Sequence, residues 1–299
     1  MSSLELGFWS FPVLLVMVFL RAPIGLAMLL CGFGGWYFAM GGNPTPLLAK
    51  MKSETYTTFS SYSLSIIPMF LLMGQFATLS GMSQALFKAA ENFLGHRRGG
   101  VAMASVGACA GFGAICGSSL ATAATMSKVA LPELKRYGYS GGFSTATLAA
   151  GGTLGILIPP SVILVIYAIL TEQNIAKLFL AAFIPGILAA LGYILTISIY
   201  VRLHPDAAGT REAVPMAERF RSLAVCWPVL TIFIIVVGGI YAGWFTPTEG
   251  SAIGAAATGL AALISGSLNW SVLGESLLGT ARTTAMIFFI VLGAGFYNG

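Results

Sequence analysis

Apolar runs broken by short basic or glycine- and proline-rich punctuation fill this chain, and their lengths predict helices rather than strands. A run from Gly7 to Leu20 ends at Arg21-Ala22-Pro23, and a second continues from Ile24 to Met40. Proline is tolerated in a first helical turn, so Pro23 suits the start of the second helix. Gly41 to Thr58 carries Asn43-Pro44, Lys50, Lys52 and Glu54, a pattern open to two readings, an exposed loop or an interfacial amphipathic helix. The next crossing runs from about Ser61 to Leu79 and is broken by Gly81. Ser83 to Asn92 then reads as an amphipathic stretch with Lys88 and Glu91 on its polar side.

The stretch from Gly99 to Pro132 is apolar enough for a membrane and lies between His96-Arg97-Arg98 and Lys135-Arg136. Lys and Arg beside membrane segments are biased to the cytoplasmic side, so both ends are expected on one face. The 36 residues between Arg98 and Lys135 fall short of the roughly 40 plus a turn that two helical crossings need. A re-entrant hairpin fits, with its tip at Gly117-Ser118-Ser119. Hydroxyls and free backbone groups inside a bilayer are tolerated only around a protein-enclosed or watery cavity, as at a transport site. The competing reading is a pair of tilted helices whose Gly and Ser serve helix contact alone.

Gly141 to Leu170 spans 30 residues and is interrupted by Gly151-Gly152-Thr153-Leu154-Gly155 and by Pro159-Pro160. The pattern predicts an unwound helix whose freed carbonyls and amides coordinate ions and substrate, as in many secondary transporters. A proline-kinked structural helix is the plainer alternative. Ile175 to Val201 crosses back, and Arg202 to Arg221, with four arginines, is a polar connector placed in the cytoplasm by its charge. Leu223 to Ala242 crosses outward to the aromatic pair Trp244-Phe245. Thr246-Pro247-Thr248-Glu249-Gly250, an apolar run from Ala252 to Ile264, a connector at Asn269-Trp270 and a segment from about Thr283 to Gly299 complete the chain. The resulting organisation is scaffold helices with an amphipathic connector (1–95), hairpin (96–138), broken helix and return helix (139–201), cytoplasmic connector (202–222) and the start of a second repeat (223–299).

Composition agrees with this pattern. Hydrophobic residues make up 57%, charged residues 8%, and mean hydropathy is +0.88, which defines an all-α integral membrane protein. The net charge of +5 sits in short clusters between apolar runs and reads as topology signal and headgroup contact, so the bilayer is a partner and nucleic acid is not. Cys31, Cys109, Cys116 and Cys226 lie inside apolar runs without metal or redox spacing, so they read as small buried hydrophobes. Met1 to Glu5 lacks the basic region and cleavage site of a secretory signal, so the helix from Phe8 is expected to be retained. The two histidines, His96 and His204, fall in predicted cytoplasmic loops. Neither has the setting of a catalytic base, and no enzyme activity is expected.

With Arg21, Arg97, Arg98, Arg136 and Arg202 inside, the segments alternate and the N-terminus lies outside; Lys50 and Lys52 are exceptions on the outer side. Pro23-Ile24-Gly25-Leu26-Ala27 opens an outward segment, and Pro247-Thr248-Glu249-Gly250-Ser251-Ala252 opens a similar inward one. Met69 to Gly81 pairs with Met286 to Gly299 in the same reversed sense. Similarity with reversed topology is the mark of an inverted repeat.

The run Gly111-Phe112-Gly113-Ala114-Ile115-Cys116-Gly117-Ser118-Ser119-Leu120-Ala121-Thr122, the segment Leu131 to Tyr139, the segment Gly151 to Ser161 and the motif Phe245-Thr246-Pro247-Thr248-Glu249 closely resemble the large membrane subunit of tripartite ATP-independent periplasmic (TRAP) transporters. The resemblance covers nearly the whole chain. It implies a sodium symporter of elevator type in the bacterial inner membrane, with a small membrane subunit bracing the scaffold and a periplasmic binding protein delivering an organic acid. It implies no cofactor beyond Na⁺ as coupling ion. It further implies a second re-entrant hairpin and a second broken helix. The internal alignment sets Gly299 level with Gly81, so the second repeat is expected to be incomplete and the chain to hold half a site.

The site residues follow from chemistry set in that frame. Na⁺ is a hard cation that favours oxygen ligands, and Ser118, Ser119 and the carbonyls around Gly152, Thr153, Gly155 and Pro159 offer them. A carboxylate is drawn to half-helix N-termini, with Ser119, Thr122 and Thr153 as substrate donors. For Thr122 and Thr125 a back-bond to the preceding turn is the competing role. Glu249 is open to two roles, a proton or ion site and a capping carboxylate. The alternative function is an ion channel or passive scaffold using the re-entrant loop as a pore element; channel filters are usually completed by symmetric subunits, whereas inverted repeats favour alternating access.

Overall fold

The structure is a computed structural model that describes residues 3–298. Among the described residues every regular element is helical, as a bilayer demands of any chain that is not a closed barrel. The chain divides into two compact units, Met1–Ser65 with Ala281–Gly299, and Ile66–Thr280.

In the first unit, α1 (Ser3–Phe19) packs along α2 (Ile24–Ala39), and Phe8, Trp9, Phe11 and Phe19 of α1 point outward. Glycines let α2 lie backbone to backbone on the stretch 281–297: a Cβ at Gly25 would fall 2.8 Å from Phe289 Cδ1, and one at Gly32 would fall 2.6 Å from the Phe296 carbonyl. The segment read as a loop or a helix is helical. α3 (Pro44–Ser60) starts where the Asn43 side chain accepts a hydrogen bond from the Thr45 amide at 3.0 Å, and Lys50 sits 4.1 Å above the Trp36 ring.

The second unit begins with α4 (Ile66–Leu79) and α5 (Met82–Leu94), followed by α6 (Gly100–Cys116) and α7 (Ser119–Arg136). α6 is its core, with 14 of 17 residues buried, because it is apolar on all sides and α4, α5, α7 and the elements below pack around it. Its 17 residues reach about 25 Å, short of the roughly 30 Å hydrocarbon layer. The two ends of this hairpin meet, since the Val101 amide donates to the Tyr139 hydroxyl at 3.2 Å.

α8 (Gly141–Leu157) and α9 (Val162–Leu170) form a pair bent by 45°. The expected break is therefore real but shorter than the sequence suggested. The glycines from Gly151 to Gly155 remain helical, because they serve close packing against α6 and α7 rather than unwinding, and the helix breaks only at Ile158–Ser161. α10 (Ile175–Leu203) has 29 residues and a stripe of exposed Leu180, Ile184, Leu188, Leu191 and Leu195.

The connector is not free of structure. α11 (Met216–Val225) lies within and just beyond it, packs on α5 and makes a 53° bend with the helix 227–241. That helix comprises α12 (Trp227–Phe233), a π-turn (Ile234–Gly238) and α13 (Gly239–Tyr241). The polar assignment of Glu91 is overturned by the same connector. Folding back over α5, it buries Glu91 to 1% exposure and sets Arg211 3.1 Å from its carboxylate, with Lys88 at 3.3 Å. Arg211 also donates to Asn92 at 2.9 Å.

α14 (Pro247–Ile264) packs along α4, with Gly254 on Met73 and Gly259 on Phe76. Of the two roles open to Glu249, capping is the one observed: its carboxylate accepts from the Thr246 amide at 2.8 Å, and its amide donates to the Thr246 hydroxyl at 3.3 Å. α15 (Trp270–Tyr297) starts in this unit and runs on as the stretch 281–297 of the first. Among the described residues, three helices are long and apolar enough to cross a membrane singly, Tyr62–Leu79, Ile175–Leu203 and Trp270–Tyr297, and the two bent pairs pass the same test together.

Candidate functional site

The hairpin tip and the helix break are built alike. Gly117 ends α6 at φ 63°, a conformation that favours glycine, and its amide donates to the Gly113 carbonyl at 2.9 Å. Ser118 is extended (φ −135°, ψ 125°) and caps α7 by accepting from the Ala121 amide at 3.4 Å. At the break, Ser161 is likewise extended (φ −131°, ψ 125°) and caps α9 by accepting from the Leu164 amide at 3.5 Å. Before it, Pro159 and Pro160 bring no N–H, so the carbonyls of Gly155 and Ile156 have no donor four residues on.

These two turns touch. The Val162 amide donates to the Gly117 carbonyl at 3.2 Å, and a Cβ at Gly117 would fall 2.9 Å from the Pro160 carbonyl. Behind them runs a seam of small residues: a Cβ at Gly113 would fall 2.6 Å from Gly155 Cα, and one at Gly152 would fall 2.6 Å from Ala123 Cβ. Gly74 of α4 closes the same spot, 3.0 Å by that measure from the Cys116 carbonyl. The C-terminal ends of α6 and α8 and the N-terminal ends of α7 and α9 thus converge. Carbonyl-rich ends suit a cation and amide-rich ends suit an anion.

Thr122 lies against the seam, fully buried, with its Oγ1 2.5 Å from where a Gly155 Cβ would stand. Its hydroxyl does not make the back-bond to Ser118. The Cys116 thiol is turned towards it, but sulfur is a weak partner and no hydrogen bond of ordinary geometry closes on Thr122 Oγ1. A buried hydroxyl without a partner costs about 1–3 kcal/mol, which a bound oxygen-seeking ion would offset. Ser118 and Ser119 are half-buried at the tip, and Leu120 beside them is 81% exposed.

Thr153 is placed elsewhere. Its hydroxyl donates to the Ala150 carbonyl at 2.7 Å and pairs at 3.0 Å with the Tyr193 hydroxyl of α10, so it is engaged with α10 and not with Ser119 or Thr122. A helix spreads residues 152, 153 and 155 around its circumference, and 153 takes the far side. The carbonyls of Gly152 and Thr153 lie within α8, and of the predicted carbonyl set Gly155 and Pro159 sit at the break. Ile156 and Ser161 escaped the sequence reading. Their signals were present, a proline four residues after Ile156 and a serine opening an apolar run.

The family described as tripartite ATP-independent periplasmic transporter, DctM component, matches residues 11–299. The C4-dicarboxylate TRAP transporter large permease protein DctM of Pseudomonas aeruginosa is 37% identical over 246 residues, 82% of this chain and 57% of the relative. The ectoine/5-hydroxyectoine TRAP transporter large permease protein UehC of Ruegeria pomeroyi is 30% identical over 295 residues, 95% of this chain and 66% of the relative. The isethionate TRAP transporter permease protein DctMQ of Oleidesulfovibrio alaskensis is 33% identical over 220 residues, 73% of this chain and 34% of the relative. The chain spans about half the length of the curated relatives it matches. With a match over nearly its whole length, the chain belongs to the DctM family of TRAP transporter large permeases.

Proposed function

We propose that the chain belongs to a sodium-coupled importer of a small organic acid, working by an elevator movement in the bacterial inner membrane with its N-terminus in the periplasm. The observation that carries this reading is the meeting of Gly117 with Pro160 and Val162, which brings four half-helix ends to one point. Na⁺ is held by the Gly155 and Ile156 carbonyls with Thr122 Oγ1, and the acid is drawn to the capped N-termini at Ser118-Ser119 and Ser161. The α6–α7 hairpin is re-entrant in this reading, since its first arm is shorter than the bilayer core.

An inverted repeat is supported by packing. α4 lies on α14 in one unit, and in the other 281–297 lies on α2. Under the sequence pairing of α2 with α14 and of α4 with the chain's end, each is the counterpart of the other. A small membrane subunit and a periplasmic binding protein complete the transporter; one relative bears the fused name DctMQ. Relatives named for C4-dicarboxylate and isethionate point to anionic cargo. Flux through proteoliposomes containing the chain, a small subunit and a binding protein tests the proposal. Saturable, Na⁺-dependent uptake is expected, and an ohmic current would instead indicate a channel.

A further inference from the structure

In the second unit, a cavity of about 320 Å³ runs between α8 and α10, with Phe143, Ala146 and Ala150 on one wall and Tyr193, Ile197 and Tyr200 on the other. That volume falls at the lower end of small-ligand sites. One end is closed by stacked rings: Tyr139 on Phe143 at 6.1 Å, Phe143 on Tyr200 at 4.8 Å and Tyr200 on His204 at 4.6 Å, with interplanar angles of 5°, 16° and 22°. The Tyr139 hydroxyl, held by the Val101 amide, anchors this stack.

The same end carries charge. Gly99 packs against Ile197 and Val201, which sets Arg98 beside the last turn of α10, where Arg202 lies. Both arginines are exposed, and among the described residues no acidic side chain pairs with either. An apolar slot ending in aromatic rings and two uncompensated guanidinium groups matches an amphiphile with a negative head. Free phosphate has no use for the slot, and a neutral lipid has none for the charges.

We propose that this groove binds one anionic phospholipid, its acyl chain between α8 and α10 and its phosphate on Arg98 and Arg202. The inference rests on the membrane setting of the family and is independent of the sodium-coupled reading. Native mass spectrometry of the purified chain, equilibrated in mixed micelles with phosphatidylglycerol or phosphatidylcholine, tests it. Retention of phosphatidylglycerol should exceed that of phosphatidylcholine by roughly thirtyfold, as two surface arginines imply. Arg98→Gln with Arg202→Gln should abolish the preference, and Ala146→Trp, at an exposed position of the groove, should abolish retention of either lipid. Equal retention of the two lipids by the parent, or unchanged retention in both variants, would overturn the proposal. So would a photocrosslinker at Ala146 that captures the small subunit instead of lipid.

Discussion

The Gly117 carbonyl accepts the Val162 amide at 3.2 Å, so the tip of the hairpin is hydrogen-bonded to the first residue of the helix that follows the double proline. Gly117 stands at φ 63° with its missing Cβ aimed at the Pro160 carbonyl. Gly117→Ala is therefore expected to destabilise the chain by about 1–2 kcal/mol from the left-handed backbone alone, with more from the contact. Thermal unfolding in detergent should show a lowered midpoint, whereas Gly141→Ala, where a Cβ meets open space, should leave it nearly unchanged.

Arg211 fastens the connector to α5 through a carboxylate that is almost wholly buried. Breaking a buried pair by removing one partner typically costs about 3–5 kcal/mol, and Lys88 at 3.3 Å offsets part of this. Arg211→Ala should lower the unfolding midpoint strongly. Glu91→Gln with Arg211→Gln should cost less than the sum of the two single changes, and simple additivity in that cycle would show that the pair does not act as a unit.

Re-entrance of the hairpin can be read by labelling. Arg97 and Lys135 are exposed at its two ends, and the four native cysteines are buried. Single cysteines at these two positions, in a background lacking the native ones, should both react with an impermeant maleimide from the cytoplasmic side only. Labelling from opposite sides would make the hairpin a crossing.

The helices and their order were legible because a membrane chain repeats one simple signal, an apolar run closed by Arg, Gly or Pro. The tip at Gly117-Ser118-Ser119 and the double-proline break were legible for a local reason: proline removes a donor and glycine permits a left-handed turn whatever surrounds them. Glu91 was misread because a helical pattern shows only that a charge leaves one face, and cannot show that a connector more than a hundred residues away supplies its partner Arg211. The expected unwinding at Gly151–Gly155 was misread because a glycine cluster marks either an unwound helix or a tightly packed one. Only the contacts with Gly113, Ala123 and Thr122 distinguish the two.

The Na⁺ dependence of uptake in Thr122→Val and Thr153→Val tests the central claim most directly. Valine replaces a hydroxyl with a methyl of similar size at both positions, but Thr122 Oγ1 is unpartnered while Thr153 Oγ1 is bonded to Tyr193. Thr122→Val should keep or raise thermal stability and weaken apparent Na⁺ affinity by roughly tenfold, the equivalent of one lost ion contact. Thr153→Val should lose about 1 kcal/mol of stability and leave the Na⁺ dependence as in the parent. If Thr122→Val takes up substrate with the parent's Na⁺ dependence and maximal rate, the coupling ion does not sit where the hairpin tip meets the broken helix.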